Sequence, residues 1–372
     1  MKITFYKIIN TYRLPLAALC IITVILFAGN KPLAQDTNKT EDKFVVAAVG
    51  FYNVENLFDT INDPKIRDDD FTPEGSNRWN TAKYLEKLDN LSKVIDTLGT
   101  DYIPDGVAVL GLCEVENRAV LEDLANTERL KDRNYQIVHY PGPDRRGVDV
   151  AYFYNPKYFK YISSKPYSTR LEGLGRDGGD FRARDQLLLT GELMGERVHF
   201  LVAHWPSRAG GERRSRPLRN GCAQVARGII DSILAVEPDA KIFMMGDLND
   251  NPDNRSVARY LRSSGEREKL KESELFNPFY SYYKRGIGSN AWRDTWSLFD
   301  QILITQSMLT GDFSDFQYWK AEVYNRPFLV QPSGRFQGYP YRTFGGGVYL
   351  GGYSDHFPTL IYLIRRAEAK ND

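Results

Sequence analysis

"GGYSDHFPTL", residues 351–360, sets an aspartate beside a histidine between flexible glycines and Pro358. The chain has only four histidines, so the placement asks for a reason. On a regular strand neighbouring side chains point to opposite faces, and Asp355 and His356 would not share one task. Glycine before and proline after put the pair where a loop enters a strand. There the backbone can turn both side chains toward one cleft. A surface Asp-His at a strand start is the competing reading of this stretch taken alone, and the rest of the chain must decide.

The same arrangement recurs upstream, where apolar runs end in polar residues. Asn53 follows "VGFY", Glu114 follows "LGLC", His204 follows "FLVA", and Asp247 and Asn249 follow "IFMMG". Around these points "KFVVAAVGFYNVEN", "GVAVLGLCEVEN", "YQIVHY", "VDVAYFYN", "DQLLLTGEL", "RVHFLVAHW", "KIFMMGDLND", "FDQILIT" and "HFPTLIYLI" read as strands. "YLEKLDNLSKVIDTL" carries Tyr84, Leu88, Leu91, Ile95 and Leu98 at amphipathic helical spacing. Further helices are expected through "AVLEDLANTERL" and over residues 223–234. Many strands with helices interspersed, no internal repeat and no separating linker predict a mixed α/β (α+β) domain. Its two packed sheets are flanked by helices. Strand ends of such sheets gather along one rim, so the polar residues above are expected to converge.

With 49 Lys and Arg against 48 Asp and Glu, the net charge is +1. No global field draws the chain to nucleic acid or membrane, and any attraction is local. Lys2 and Lys7 precede an apolar run at 14–28, followed by a small residue, Ala34, and a polar stretch. That order predicts a secretory signal at 1–34, a short polar linker at 35–43 and one domain over 44–368. Export to the periplasm or outside the cell follows; membrane attachment follows only if the segment is retained. Beyond the signal only Cys113 and Cys222 remain, too few for a disulfide scaffold. No Cys/His spacing suggests zinc, so any metal should be held by oxygen.

"FYNVEN", "LCEVEN", "VAHWPSR", "GDLND", "FDQIL" and "SDHFP" occur in the order and rough spacing of the endonuclease/exonuclease/phosphatase superfamily, which the chain resembles over residues 43–366. The resemblance implies a four-layer αββα sandwich of two mixed sheets, similar to DNase I. It implies a metal cluster of Asn53, Glu114 and Asp355, with Mg²⁺ or Mn²⁺ as the cofactor, an ion that takes one or two carboxylates plus substrate oxygen. Asp247 matches the residue that orients or deprotonates the attacking water, and Asn249 its phosphate-binding neighbour. His356 matches the histidine that meets the phosphate, Asp300 its carboxylate partner, and His204 a second histidine of the DNase I branch. Glu116 lies in the same motif as Glu114, which is the better match. For Asn53 and Asn249 a turn role competes.

"HWPSRAGGERRSRPLR" adds Arg208, Arg213 and Arg214 as substrate-binding candidates, because Arg is the forked donor suited to phosphate oxygens. A solvated basic loop is the alternative. The acidic stretch "NDPKIRDDDFTPEG" offers a structural Ca²⁺ site without the spacing of an EF-hand. The aromatics of "GRFQGYPYRTFGGGVYLGGY" could stack bases or pack under their own loop. The resulting expectation is an exported metal-dependent phosphodiesterase, a nuclease first, acting as a monomer with nucleic acid as substrate and no stable protein partner. Activity on inositol phosphates or phospholipid head groups is the alternative. A non-catalytic binding module would require a degraded site, and here the set is complete.

Overall fold

The computed structural model describes residues 43–367, so the expected signal at 1–34 and nearly all of the linker lie outside the described residues. In chain order the longer strands are β1 (Phe44–Leu57), β2 (Val109–Val115), β3 (Gln136–His139), β4 (Asp149–Tyr154), β5 (Phe159–Leu171), β6 (Phe181–Leu193), β7 (Glu196–His204) and β8 (Ile242–Asp247). There follow β9 (Ser263–Ser264), β10 (Leu275–Phe276), β11 (Asn290–Trp292), β12 (Thr295–Ser297), β13 (Asp300–Ile304), β14 (Gln317–Val323), β15 (Phe344–Gly345), β16 (Val348–Tyr349) and β17 (Thr359–Arg366). The α-helices are α1 (Thr81–Thr97), α2 (Arg118–Ala125), α3 (Glu212–Leu234) and α4 (Phe279–Lys284).

Two mixed sheets result, ordered β14-β17-β1-β2-β4-β3 and β5-β6-β7-β8-β13-β10-β9. Each holds one parallel pair of long strands, β1 with β2 and β7 with β8. In each case the crossover is a helix, α1 in the first and α3 in the second, as parallel neighbours require. The continuous apolar runs are explained by burial on both faces. Along β7 and β8, Phe200, Val202, Phe243 and Met245 join the core shared with β1 and β2. The alternating Leu201, Ala203, Ile242 and Met244 pack with Ala226 and Ile230 of α3. Gly111 lets the sheets close, since a Cβ there would lie 2.5 Å from the Met245 sulfur of the facing sheet. Helices α1 and α2 cover the other face of the first sheet, and each starts on an asparagine cap, Asn80 accepting from Lys83 N–H and Asn117 from Val120 N–H. The four-layer expectation holds.

Besides the short strands β9–β12, β15 and β16 and the short helix α4, three longer elements depart from the sequence reading. β5 and β14 were not expected, because both are edge strands whose exposed polar residues break the alternation; Pro166 in β5 sits where edge strands admit proline. Helix α3 begins at Glu212, eleven residues before the expected start at 223. Pro217 and Gly221 hide it in the sequence. Pro217 forfeits one helical hydrogen bond. Gly221 gives α3 a close approach to β5, since a Cβ would lie 2.8 Å from the Leu171 Cδ2. The arginine-rich segment, for which a solvated basic loop was the alternative reading, is therefore half helix.

Candidate active site

Sheet register brings the polar residues to one rim. Across the second sheet His204 pairs with Asp247, and Asp247 with Asp300, so three adjacent strands end or begin at one level. In the first sheet Asn53 pairs with Cys113 beside Glu114, where β2 breaks register against both neighbours. Parallel β1 and β2 deliver their C-terminal ends here, as do β7 and β8. Gly246 is required by the close approach of β7: at φ +156° a Cβ would lie 2.0 Å from the Ala203 carbonyl oxygen. The left-handed backbone of Glu55, Asn56, Glu114 and Asn249, with φ between +50° and +64°, concentrates strain of about 1–3 kcal/mol per residue at this rim.

The opening pair is turned as expected. Ser354 donates to the Asn53 carbonyl at 2.7 Å and accepts from the His356 N–H at 3.1 Å, which pins the segment before β17. His356 Nδ1 meets Asp300 Oδ2 at 2.6 Å, and Ser289 Oγ donates to the same oxygen at 2.5 Å. The other face of the ring, Nε2, lies 3.8 Å from Asp355 Oδ1 and 3.9 Å from Asp247 Oδ2. Burial works to lower the His356 pKa, but the charges of Asp300, Asp355 and Asp247 and the Asp300 hydrogen bond outweigh it, and the imidazolium persists well above its ordinary range.

His204 has the opposite character. Burial, then the charges of Arg184, Arg146 and His356, hold its pKa well below the ordinary value, so it is neutral. Its Nε2 lies 3.5 Å from Asp247 Oδ2 and 3.8 Å from Glu114 Oε1. One neutral and one charged imidazole thus flank Asp247. Burial lifts the Asp247 carboxyl to about 7, moderated by His356 and raised again by Asp300. A carboxylate poised near neutrality suits a general base.

Asn53 does not present itself as an oxygen ligand. Its Oδ1 accepts from the Glu55 N–H at 2.9 Å, while Nδ2 faces Asp247 at 3.1 Å and Glu114 at 3.4 Å. It braces the two carboxylates. Asn249 holds the Asp247 loop, its N–H on Asp247 Oδ1 at 2.9 Å and its Nδ2 on the Trp205 carbonyl at 3.0 Å. The oxygen donors that fit a hard cation are Glu114 and the partly exposed Asp355, with Glu55 behind them. Burial, then the Asp355 charge, pushes Glu55 up to about 7, and the buried Lys87 and the partly buried Arg342 are the cations that act against it. Among the described residues, the group of ligand atoms close enough for one ion is Asp247, Asp300 and His356. In this group His356 Nδ1 is already hydrogen-bonded to Asp300.

Of the arginine candidates, Arg208 is turned inward: it bonds the Asn249 carbonyl, Asp250 and Asn254 at 2.8–2.9 Å and stacks on Phe299. Its guanidinium supports the "GDLND" loop. Arg219, fully buried, meets the same Asp250 at 2.8 Å. Arg213 and Arg214 are exposed, and Arg214 lines a cleft next to His204.

Glu116 stands back from the site, accepting from the Asp59 N–H at 2.7 Å, and burial raises it to about 8. The acids of residues 63–74 do not converge on one point: Asp68 accepts from the Asp63 N–H, Asp63 from the Lys65 N–H and Asp70 from the Ser76 hydroxyl. The aromatics of residues 336–353 pack under their own loop, Phe344 against Trp79 and Tyr349, and Tyr341 against Tyr353. Glu55, Lys87, Ser289 and Asn290, whose side-chain amide lies 3.5 Å from His356 Nε2, were missed from the sequence. Lys87 left a signal, a charged residue in the buried stripe of α1; the others had none.

The raised carboxyls set a pH expectation. Glu55, Glu116 and Asp247 keep protons in the folded chain that the unfolded chain releases near pH 4 to 4.5, so the native state binds more protons up to about pH 7–8. Stability then falls as pH rises through that window. His356 adds loss of the same sign above its ordinary value of 6.5, and His204 opposes it only below 6.5. The Tm of metal-free protein should decrease from about pH 5 to 8, and Glu116→Gln should flatten the curve. A Tm that climbs over this range, measured by calorimetry, would contradict the burial argument.

No curated protein matches the chain at a significant level. Solved structures do share the fold. A humanized D. rerio TDP2 aligns at 14% identity over 86% of this chain and 98% of its own, with a TM-score of 0.50. A Bacteroides thetaiotaomicron mannosyl-6-phosphatase aligns at 14% identity over 85% of this chain and 99% of its own, also at 0.50. Residues 48–365 match the model of the Endonuclease/Exonuclease/phosphatase family, and the chain belongs to that family.

Proposed function

We propose that the chain is an exported, divalent-metal-dependent phosphodiesterase, with nucleic acid as its first substrate class. One observation carries the catalytic reading: Asp247, poised near neutrality, stands between neutral His204 and charged His356, with Glu114 and Asp355 beside those two imidazoles. Glu114 and Asp355 would hold Mg²⁺ or Mn²⁺, which when bound polarises a phosphoryl oxygen and neutralises developing charge. Asp247 accepts the proton of the attacking water while the new P–O bond forms and the leaving P–O bond breaks. His356 offers its Nε2–H to charge developing on the phosphoryl group, and Asp300 keeps Nδ1–H in place by accepting from it. His204, neutral, supplies a second Nε2–H. Asn249 fixes the Asp247 carboxylate through its own backbone N–H.

The test is a panel of plasmid DNA, RNA, bis-p-nitrophenyl phosphate and phosphomonoesters, each with Mg²⁺ and with Mn²⁺. Turnover of the diesters ahead of the monoesters supports the proposal. Turnover of monoesters alone would replace it with a phosphatase, and no turnover of any phosphoester would remove it. Export is supported by the order of basic flank, apolar run and small residue at 1–34.

A further inference from the structure

Beside His204 the chain builds a cleft of about 1180 Å³, walled by the tip of the β5–β6 hairpin, the loop before β4 and the first turns of α3. Six arginines line it against two carboxylates, Asp144 and Asp180. Both carboxylates are already engaged. Asp144 pairs with Arg184 at 2.9 Å and with Arg146 at 3.7 Å, and Asp180 pairs with Arg170. That leaves Arg145, Arg176, Arg182 and Arg214, which form no ion pair among the described residues and are all exposed. Arg182 also sits directly opposite Arg170 across the hairpin, so two guanidiniums face each other where one carboxylate, Asp180, is bound to Arg170.

The cleft borders the end of β7 that carries His204. Arg184 donates to the His204 carbonyl at 3.2 Å, and Pro206 and Ser207, which follow His204 and Trp205, form part of the wall. His204 is in register with Asp247, so a phosphoryl group at Asp247 has this cleft on its flank. Unpaired guanidiniums are forked donors matched to phosphate oxygens and cannot be discharged by deprotonation.

We infer that the cleft is a subsite for a second phosphate of the substrate, adjacent to the one being cleaved. This rests on the phosphoester reading of the rim and narrows it to substrates bearing more than one phosphate. A nucleic-acid strand and a compact polyphosphate share that chemistry, and the experiment separates them.

Arg176→Ala combined with Arg182→Ala changes two exposed side chains, and circular dichroism should match that of the parent chain. In EDTA, where no turnover occurs, tetrathymidylate and inositol hexakisphosphate are each titrated into both proteins by calorimetry. The double variant should bind tetrathymidylate at least tenfold more weakly. Its slope of log K against log salt should be shallower by about 1.4, the loss of two contacts to a single strand. Loss confined to inositol hexakisphosphate supports the subsite and assigns it to a compact polyphosphate. With Mg²⁺ present, the ratio of kcat/KM for tetrathymidylate to that for bis-p-nitrophenyl phosphate should fall at least tenfold. Unchanged affinity for both anions overturns the subsite, even in an enzyme that turns over both substrates. Absence of turnover in the parent chain with intact binding overturns the catalytic reading and leaves the subsite standing.

Discussion

Asp247→Asn should lower kcat by about 10²–10⁴-fold, the range for loss of a positioned acid or base. The amide keeps the size of the carboxylate and one acceptor oxygen, which can keep the bond from the Asn249 N–H at 2.9 Å while the bond from Asn53 Nδ2 to the second oxygen is lost. The variant should therefore fold and bind substrate with a KM within a few-fold of the parent. What it loses is the ability to take a proton from water. The parent carboxyl titrates near 7 because burial lifts it, so its removal should also erase the acid limb of the pH–rate profile. A variant with the parent's kcat would show that water is activated elsewhere. One with a low kcat and a grossly raised KM would place Asp247 in substrate binding.

The second large effect is expected at the imidazolium. His356→Ala should again lower kcat by about 10²–10⁴-fold. Asp300→Asn should fall in the same range for a different reason: it replaces the carboxylate 2.6 Å from Nδ1 by a neutral amide and so withdraws the nearest charge that keeps the ring protonated. Because Asp300 acts through His356, the double variant should be no worse than His356→Ala alone, as for residues that work as one unit. Additive losses, measured as the logarithm of kcat, would mean that Asp300 has a separate task. Asp300 is fully buried with Oδ1 unpartnered, so its asparagine variant should lose some stability as well, and unfolding must be followed in parallel.

Much of this site was legible before any coordinates. "SDHFP", "GDLND" and "LCEVEN" could be placed on strand ends because fully apolar runs stop there, and register does the rest: adjacent strands that end at one level bring His204, Asp247 and Asp300 side by side. Burial of individual groups was not legible. That His204 is neutral and His356 charged depends on which neighbours the second sheet supplies, and neither residue's own motif encodes it. The edge strands β5 and β14 escaped because exposed edges carry mixed residues. The early start of α3 escaped because Pro217 and the arginine run mask its apolar stripe. Arg208 illustrates a limit of composition. It belongs to a basic segment, yet its guanidinium is committed to Asp250, Asn254 and the Asn249 carbonyl. The arginines of the cleft come from "GPDRRG", "GRDGGDFRARD" and "GGERRSR", three separate stretches that only the fold brings together.

The central claim is that Glu114 and Asp355 hold a cation without which Asp247 and His356 cannot turn over a phosphodiester. The most direct measurement is release of p-nitrophenol from bis-p-nitrophenyl phosphate by the chelated protein, before and after readdition of Mg²⁺ or Mn²⁺, with Glu114→Gln carried alongside. The account predicts no turnover in EDTA, restoration by either ion in the parent, and a loss of at least about 10²-fold in Glu114→Gln, recovered in part by raised metal concentration. Full turnover in the chelated parent, or an unimpaired Glu114→Gln, would contradict it.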